Sequence, residues 1–336
     1  MVSGAGSYRL LGIVSSNNLI TSADRENMSV SKVVTVFGGS GFLGRYVVSK
    51  LARAGWHVRL AVRDSAQSSF LTCCGDVGCV TSVYTNVGDR ASLEQAIRGS
   101  SAVVNLIGIL FEGGKQRFDY LHNKLPGMIA EIAEMNGVPA FVQVSAIGAD
   151  VSSASAYGRS KGEGEVAVLG AFPMASILRP SIVFGPEDDF FNRFARMMSL
   201  SPFLPLVGGG VARFQPVYVG DVAEVIVKCV EQADEYGGRV YELGGPRVLS
   251  FRDCLDLLQR YTGRSRRYLA LPFSVAYLQA IFMELLPQPP LTRDQLKMLK
   301  NDNVVAESAA GFGVFGISPV DAEVILPTYL GVYQGK

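Results

Sequence analysis

The stretch VFGGSGFLG, residues 36–44, limits what this chain can fold into more than any other part of it. Before it runs VVTVF, short, branched and almost wholly apolar, which reads as a buried strand. After it, residues 42–54 carry apolar side chains at helical spacing and stop at Gly55, a C-cap glycine. A strand that enters a helix through such a loop aims unpaired N–H groups and the positive dipole end at one point. That suits a pyrophosphate. In this reading Gly38 makes the tight turn, Gly41 lets a phosphate approach the backbone, and Gly44 lets the helix pack closely on the strand. Ser40, Phe42 and Leu43 complete the candidate phosphate-binding set.

The pattern continues down the chain. HVRLAV, VTSVY, AVVNLI, FVQVS and ASILR read as strands, with helices expected at about 89–97, 118–135 and 156–169. Strand and helix alternate, so the expected class is α/β, a doubly wound parallel Rossmann sheet with crossover helices on both faces. After Pro180 the rhythm breaks into Pro- and Gly-rich stretches with isolated helices at about 219–230 and 251–261. The expected organisation is therefore an arm over residues 1–30, a nucleotide-binding domain over 31–180, and a smaller mixed lobe over 181–336, part of which returns to the sheet. Met28 stands just before the first strand, so the arm is read as a loose segment or as residues upstream of the true start.

The second strand ends at Arg63, with Arg59 four residues earlier and Asp64 next. An arginine fork suits a 2′-phosphate, whereas an acidic residue suits free ribose hydroxyls. NADP(H) is favoured on that chemistry, and Asp64 keeps NAD(H) open. Further on, Tyr157 and Lys161 are spaced i, i+4, which puts them on one helix face. An ammonium near a phenol favours the phenolate, so the lysine is expected to lower the tyrosine's pKa. Ser145, at the end of FVQVS, is placed to hydrogen-bond the same substrate oxygen. Ser145, Tyr157 and Lys161 are the candidate catalytic set.

Composition closes other routes. Apolar residues are 48% and charged residues 18%, enough for a large core, and the net charge of +1 with no basic block argues against nucleic acid. The mean hydropathy of +0.24 is high, which implies a greasy surface. The five cysteines form no disulfide framework and read as reduced thiols; with only His57 and His122 to help, no metal site is expected. No apolar run is long enough to span a bilayer, and the N-terminus lacks a convincing signal peptide. The longest candidate, FSVAYLQAIFMELL at 273–286, falls short and contains Glu284.

These motifs, with AVVNLIG and RPSIVFGPEDDF, resemble the atypical and extended short-chain dehydrogenase/reductases, over about residues 33–245. VSAIGAD, YGRSKGEGE, FFNRFARM, RFQPVYVGDVAEVI and PLTRDQLKMLKNDNVV are similar to the nucleotide-binding accessory subunit family of respiratory complex I and its bacterial relatives. The resemblance implies Gly38, Gly41 and Gly44 at the pyrophosphate and Arg63 at the 2′-phosphate. It implies Asn86 and Val87 near adenine, Ile107 and Gly108 along the ribose, and Tyr157 and Lys161 at the nicotinamide ribose. Pro180 and Ile182 would meet the carboxamide through backbone groups. Two residues depart from the superfamily: Phe37 replaces the usual threonine before the first glycine, and Asn86 replaces the usual aspartate.

The same resemblance implies a tightly held, structural NADP(H), and partners among complex I subunits near the quinone-binding region. It implies a location on the cytoplasmic or matrix side, peripheral to the membrane. LPFSVAYLQAIFMELLPQPPLT would then lie at the membrane face, although its composition equally suits a buried helix of the small lobe. Two other functions compete. One is a reductase, epimerase or dehydratase using Ser145, Tyr157 and Lys161; the other is a redox-sensing regulator that binds NADPH without turnover.

Overall fold

The computed structural model describes Met1 and residues 32–334. The arm expected over residues 1–30 lies, Met1 apart, outside the described residues. Six strands follow the expected rhythm: β1 (Val33–Phe37), β2 (His57–Val62), β3 (Val80–Tyr84), β4 (Ala102–Asn105), β5 (Ala140–Val144) and β6 (Ser176–Pro180). A seventh, β7 (Val240–Leu243), joins the far edge beside β6. The sheet order is β7-β6-β5-β4-β1-β2-β3, parallel throughout. The order reverses between β1 and β4, which opens a crevice at the strand C-termini where ligands of such sheets lie. Register brings the strand ends level: Phe37 pairs with Ala61 on one side and with Asn105 on the other.

The helices α1 (Phe42–Arg53), α2 (Arg90–Ile97), α3 (Leu125–Met135) and α4 (Ala156–Ala171) are the crossovers. Helix α5 (Phe191–Leu200) begins the small lobe, and α6 (Val219–Glu231) returns to the sheet. Val47, Val48, Leu51 and Ala52 of α1 share one core with Val222, Ile226 and Val230 of α6. Leu93 and Ile97 of α2, with Ile129 and Ala133 of α3 and Val168 of α4, belong to a second core. After β6 the chain returns twice to the sheet, through α6 and β7, whose apolar faces complete it.

The expected helix over 118–135 starts with one wide π-turn, Asp119–Lys124, and α3 continues from it. The third core lies in the small lobe, where α5, α7 (Phe251–Thr262) and α10 (Ala322–Leu330) meet, and Phe203–Val207 pairs in parallel with Arg267–Leu271. Between them in sequence lie α8 (Phe273–Met283) and α9 (Arg293–Met298). Only Ala276 and Ala280 of α8 are buried. Leu278, Phe282, Leu285 and Leu286 on and just after it are more than half exposed. The segment at 273–286 is therefore not an ordinary buried helix. Among the described residues no helix is long and apolar enough to cross a membrane.

Candidate functional site

The glycines of the loop differ in what surrounds them. Gly38 has φ +75°, and a Cβ there would press on the Leu106–Ile107 backbone. At Gly44 a side chain would collide with the carbonyl oxygens of Gly38 and Gly39, so the helix can sit this close only without one. Gly41 is different: it is exposed, and a Cβ there would meet only the Gly38 oxygen, at 3.3 Å. Its open side faces outward. Gly41 is also the N-cap of α1 and supplies no side-chain cap. The first N–H groups of α1, from Phe42, Leu43 and Gly44, are thus left to donate to an anion. Ser40 is half-buried beside them.

At the end of β2 the charged residues divide their tasks. Asp64 Oδ1 accepts the Ala66 N–H at 2.9 Å and caps the turn that follows. Arg63 is exposed and makes no hydrogen bond or ion pair among the described residues. Arg59 does not join it in a fork. Its guanidinium donates to the carbonyls of Ala96 and Arg98, at 2.7 and 2.9 Å, and ties β2 to the end of α2. Orphan carbonyls at a helix C-terminus attract a cation, and that claims Arg59 for the fold. Asn86 is exposed and its Oδ1 accepts the Gly88 N–H, while the Val87 carbonyl accepts the Tyr120 hydroxyl at 2.6 Å.

Ser145, Tyr157 and Lys161 gather at the ends of β5 and α4. Ser145 is 5% exposed and its Oγ is buried with no partner among the described residues. An orphaned buried hydroxyl costs free energy unless a ligand satisfies it. Lys161 is also 5% exposed; its Nζ lies 6.0 Å from the Tyr157 ring centroid and donates to the Val144 carbonyl at 3.3 Å. Burial pushes the Lys161 ammonium down to about 8 and the Tyr157 phenol up to about 12. The expected lowering of the phenol by its lysine is not what this surrounding produces. Desolvation disfavours both charged forms.

His122, weighed from sequence only as a metal ligand, stands in the middle of this group. Its ring stacks on Phe118 at 5.2 Å and meets Tyr157 edge-on. Nε2 accepts the Ile109 N–H at 3.0 Å, so Nδ1 carries the proton and donates to Ser160 Oγ at 3.1 Å. Gly164 makes this possible: a side chain there would strike the His122 carbonyl, so α4 lies backbone to backbone against the π-turn. Among the described residues no cluster of His, Cys, Asp or Glu could hold a metal.

The remaining candidates sit along the same edge. The Ile107 N–H donates to Asn105 Oδ1 at 3.1 Å, and Gly108 is exposed with its missing Cβ 3.3 Å from Lys161 Nζ. The carbonyls of Pro180 and Ile182 accept the N–H groups of Ile147 and Val217. Two residues from far downstream complete the edge and were not foreseen. Asp294 accepts the N–H groups of Ala156 and Tyr157, at 2.7 and 2.9 Å, and so caps α4. Asn303 holds the Ser181 hydroxyl and the Ile147 carbonyl. A nicotinamide dinucleotide fits this set. Residues 34–244 match the NAD dependent epimerase/dehydratase family.

The chain belongs to that family. Epimerase/dehydratase folds also account for its shape: UDP-glucuronic acid 4-epimerase from Bacillus cereus, in a complex with NAD, superposes with a TM-score of 0.69. It shares 18% identity, over 89% of this chain and 98% of that one. Subunit 9 of the NADH dehydrogenase [ubiquinone] 1 alpha subcomplex from Arabidopsis thaliana, a mitochondrial protein, is 36% identical over 87% of this chain and 75% of its own length. A match of that extent cannot fit within residues 1–244, so it runs into the small lobe. A ceramide reductase from Caulobacter vibrioides is 31% identical over 58% of this chain and 60% of its own.

Proposed function

We propose that this protein is an accessory subunit of respiratory complex I that holds NADP(H) chiefly as a structural element. The observation that carries the reading is the small lobe. Likeness to the Arabidopsis subunit extends beyond the epimerase/dehydratase match, into the lobe that leaves the apolar side of α8 uncovered. Leu278, Phe282, Leu285 and Leu286 are from 53% to 82% exposed, and large apolar side chains exposed together in one short segment suit a docking surface. Complex I subunits near the quinone region, at the membrane face, are the proposed neighbours.

The nucleotide would rest its pyrophosphate on the first N–H groups of α1 over Gly41, with Arg63 beside the 2′-phosphate. Asn86 and Val87 would flank adenine; Ile107 and Gly108 would follow the ribose. Tyr157 and Lys161 would hold the nicotinamide ribose, and Pro180 and Ile182 the carboxamide. Arg63 favours NADP(H) over NAD(H) because it has no partner among the described residues, whereas Asp64 is already engaged as a cap. The test is to solubilise native membranes in mild detergent and follow the protein on a native gel. It should migrate with complex I and release NADP(H) on denaturation. Migration alone, free of complex I, would refute the reading.

The orphaned Ser145 hydroxyl favours a second reading, a reductase or epimerase. A bound nicotinamide supplies hydride exchange. Ser145 would orient a substrate oxygen, and Tyr157 would give or take its proton with Lys161 alongside. The high phenol pKa weakens Tyr157 as a base at neutral pH, which leaves this reading second.

A further inference from the structure

The cap on α4 comes from far outside the nucleotide-binding half of the chain. Ala156 N–H donates to Asp294 Oδ1, and Tyr157 N–H and Ser155 Oγ both donate to Oδ2, at 2.7, 2.9 and 2.8 Å. Ser155 Oγ in turn accepts the Gly158 N–H at 3.2 Å. The first three N–H groups of α4 are thereby satisfied, two of them by a carboxylate placed at the positive end of the helix. Tyr157 is the second residue of that helix. Its position is therefore set by Asp294.

Asp294 is itself linked to α8 through its neighbours. Arg293, one residue before it, donates its N–H and its Nε to the two carboxylate oxygens of Glu284, at 2.7 and 2.8 Å, just past the end of α8. Leu296 of α9 shares a small core with Ala276 and Ala280, the two buried residues of α8. Downstream, Asn303 Nδ2 donates to the Ile147 carbonyl at 3.3 Å, and its own carbonyl accepts Ser181 Oγ at 2.9 Å. The strap over 292–305 thus touches the candidate site at the start of α4 and again at the exit of β6. At its near end it carries the exposed apolar helix.

We infer that Asp294 is a positioning residue that couples the nucleotide site to α8, so that nucleotide occupancy governs how the apolar face of α8 is presented. This rests on the nucleotide-binding reading above. A ligand that touches Tyr157 and Lys161 stabilises one placement of α4. Through Asp294 that placement is also one of α9 and α8, and linkage makes the effect reciprocal.

The full-length protein tests this by amide hydrogen exchange with and without NADPH, beside calorimetric titrations with NADPH and NADH. In the wild type, NADPH should slow exchange at residues 38–45, at 155–160 and at 273–298. In Asp294→Asn and Asp294→Ala, NADPH should bind about tenfold more weakly. At saturation those variants should still protect 38–45 but no longer protect 273–298. A cap with a merely structural role would lower the melting temperature and leave that pattern intact. Wild-type protein that binds NADPH without protecting 273–298 overturns the coupling, whether or not the variants fold; so does a variant that keeps the protection. Failure of the wild type to bind either nucleotide overturns the functional reading and the coupling with it, and calorimetry separates that case from the others.

Discussion

The imidazole of His122 meets the phenol ring of Tyr157 edge-on, 5.3 Å between centroids with the planes 86° apart. Burial, and then the nearby charge of Lys161, push this histidine down to about 3. A folded pKa below the ordinary 6.5 means that the unfolded chain takes up the proton first as pH falls. The stability linked to neutral His122 is fully present above about 6.5 and is lost as pH falls towards 3. In urea titrations His122→Asn should flatten the fall in stability between about pH 6.5 and 4. Parallel curves for wild type and His122→Asn would remove the assignment.

Arg63 and Asp64 divide the cofactor question between them. With Asp64 engaged as a cap and Arg63 unpaired among the described residues, Arg63→Ala should weaken NADPH binding by about 1–3 kcal/mol, the scale of a charge-assisted contact. NADH binding should barely change. Equal losses for both nucleotides in calorimetry would show that Arg63 does not read the 2′-phosphate.

At Gly41 the fold and the ligand make separate demands. A Cβ would meet only one carbonyl oxygen at 3.3 Å, so Gly41→Val is expected to fold. Its branched side chain would fill the space the pyrophosphate needs. Nucleotide affinity should collapse, and the rise in melting temperature that saturating NADPH gives the wild type should vanish. A Gly41→Val protein that keeps full NADPH affinity would take this loop out of the site.

What the sequence made legible was mostly local. The loop from Gly38 to Gly44 could be read because strand, glycines and helix follow one another within a dozen residues. The spacing of Tyr157 and Lys161 could be read for the same reason, but not their pKa values, which depend on burial. The task of Arg59 is not legible in the sequence, because its partners, the carbonyls of Ala96 and Arg98, come from another helix's end. β7 escaped notice because four residues carry little periodicity, and their partner strand β6 lies some sixty residues earlier. Asp294 was invisible in principle: 138 residues separate it from the Ala156 N–H it caps.

The exposed face of α8 gives a prediction that separates docking from folding. Phe282 and Leu285 are 65% and 82% exposed, so Phe282→Ser with Leu285→Ser should change stability by no more than about 0.5 kcal/mol per site. The double variant should nonetheless be lost from the complex I band on native gels. If it stays in that band, the partner surface lies elsewhere on the molecule.

Tyr157→Phe discriminates between the two functional readings. In a working reductase the change removes the transferable proton and depresses turnover by roughly two to four orders of magnitude. In a protein that keeps its nucleotide as a structural part, the ring stays packed against His122 and Phe118 and only one hydroxyl contact goes. That costs about 0.5–1.5 kcal/mol of nucleotide binding. Cells carrying Tyr157→Phe should then assemble complex I close to normally, while Gly41→Val cells fail to, because one variant keeps the nucleotide and the other excludes it. Likeness to the Arabidopsis subunit beyond the epimerase/dehydratase match makes this the expected pattern. A severe loss of a measured dehydrogenase or epimerase activity in Tyr157→Phe, with complex I untouched by either variant, would reverse the order of the two readings.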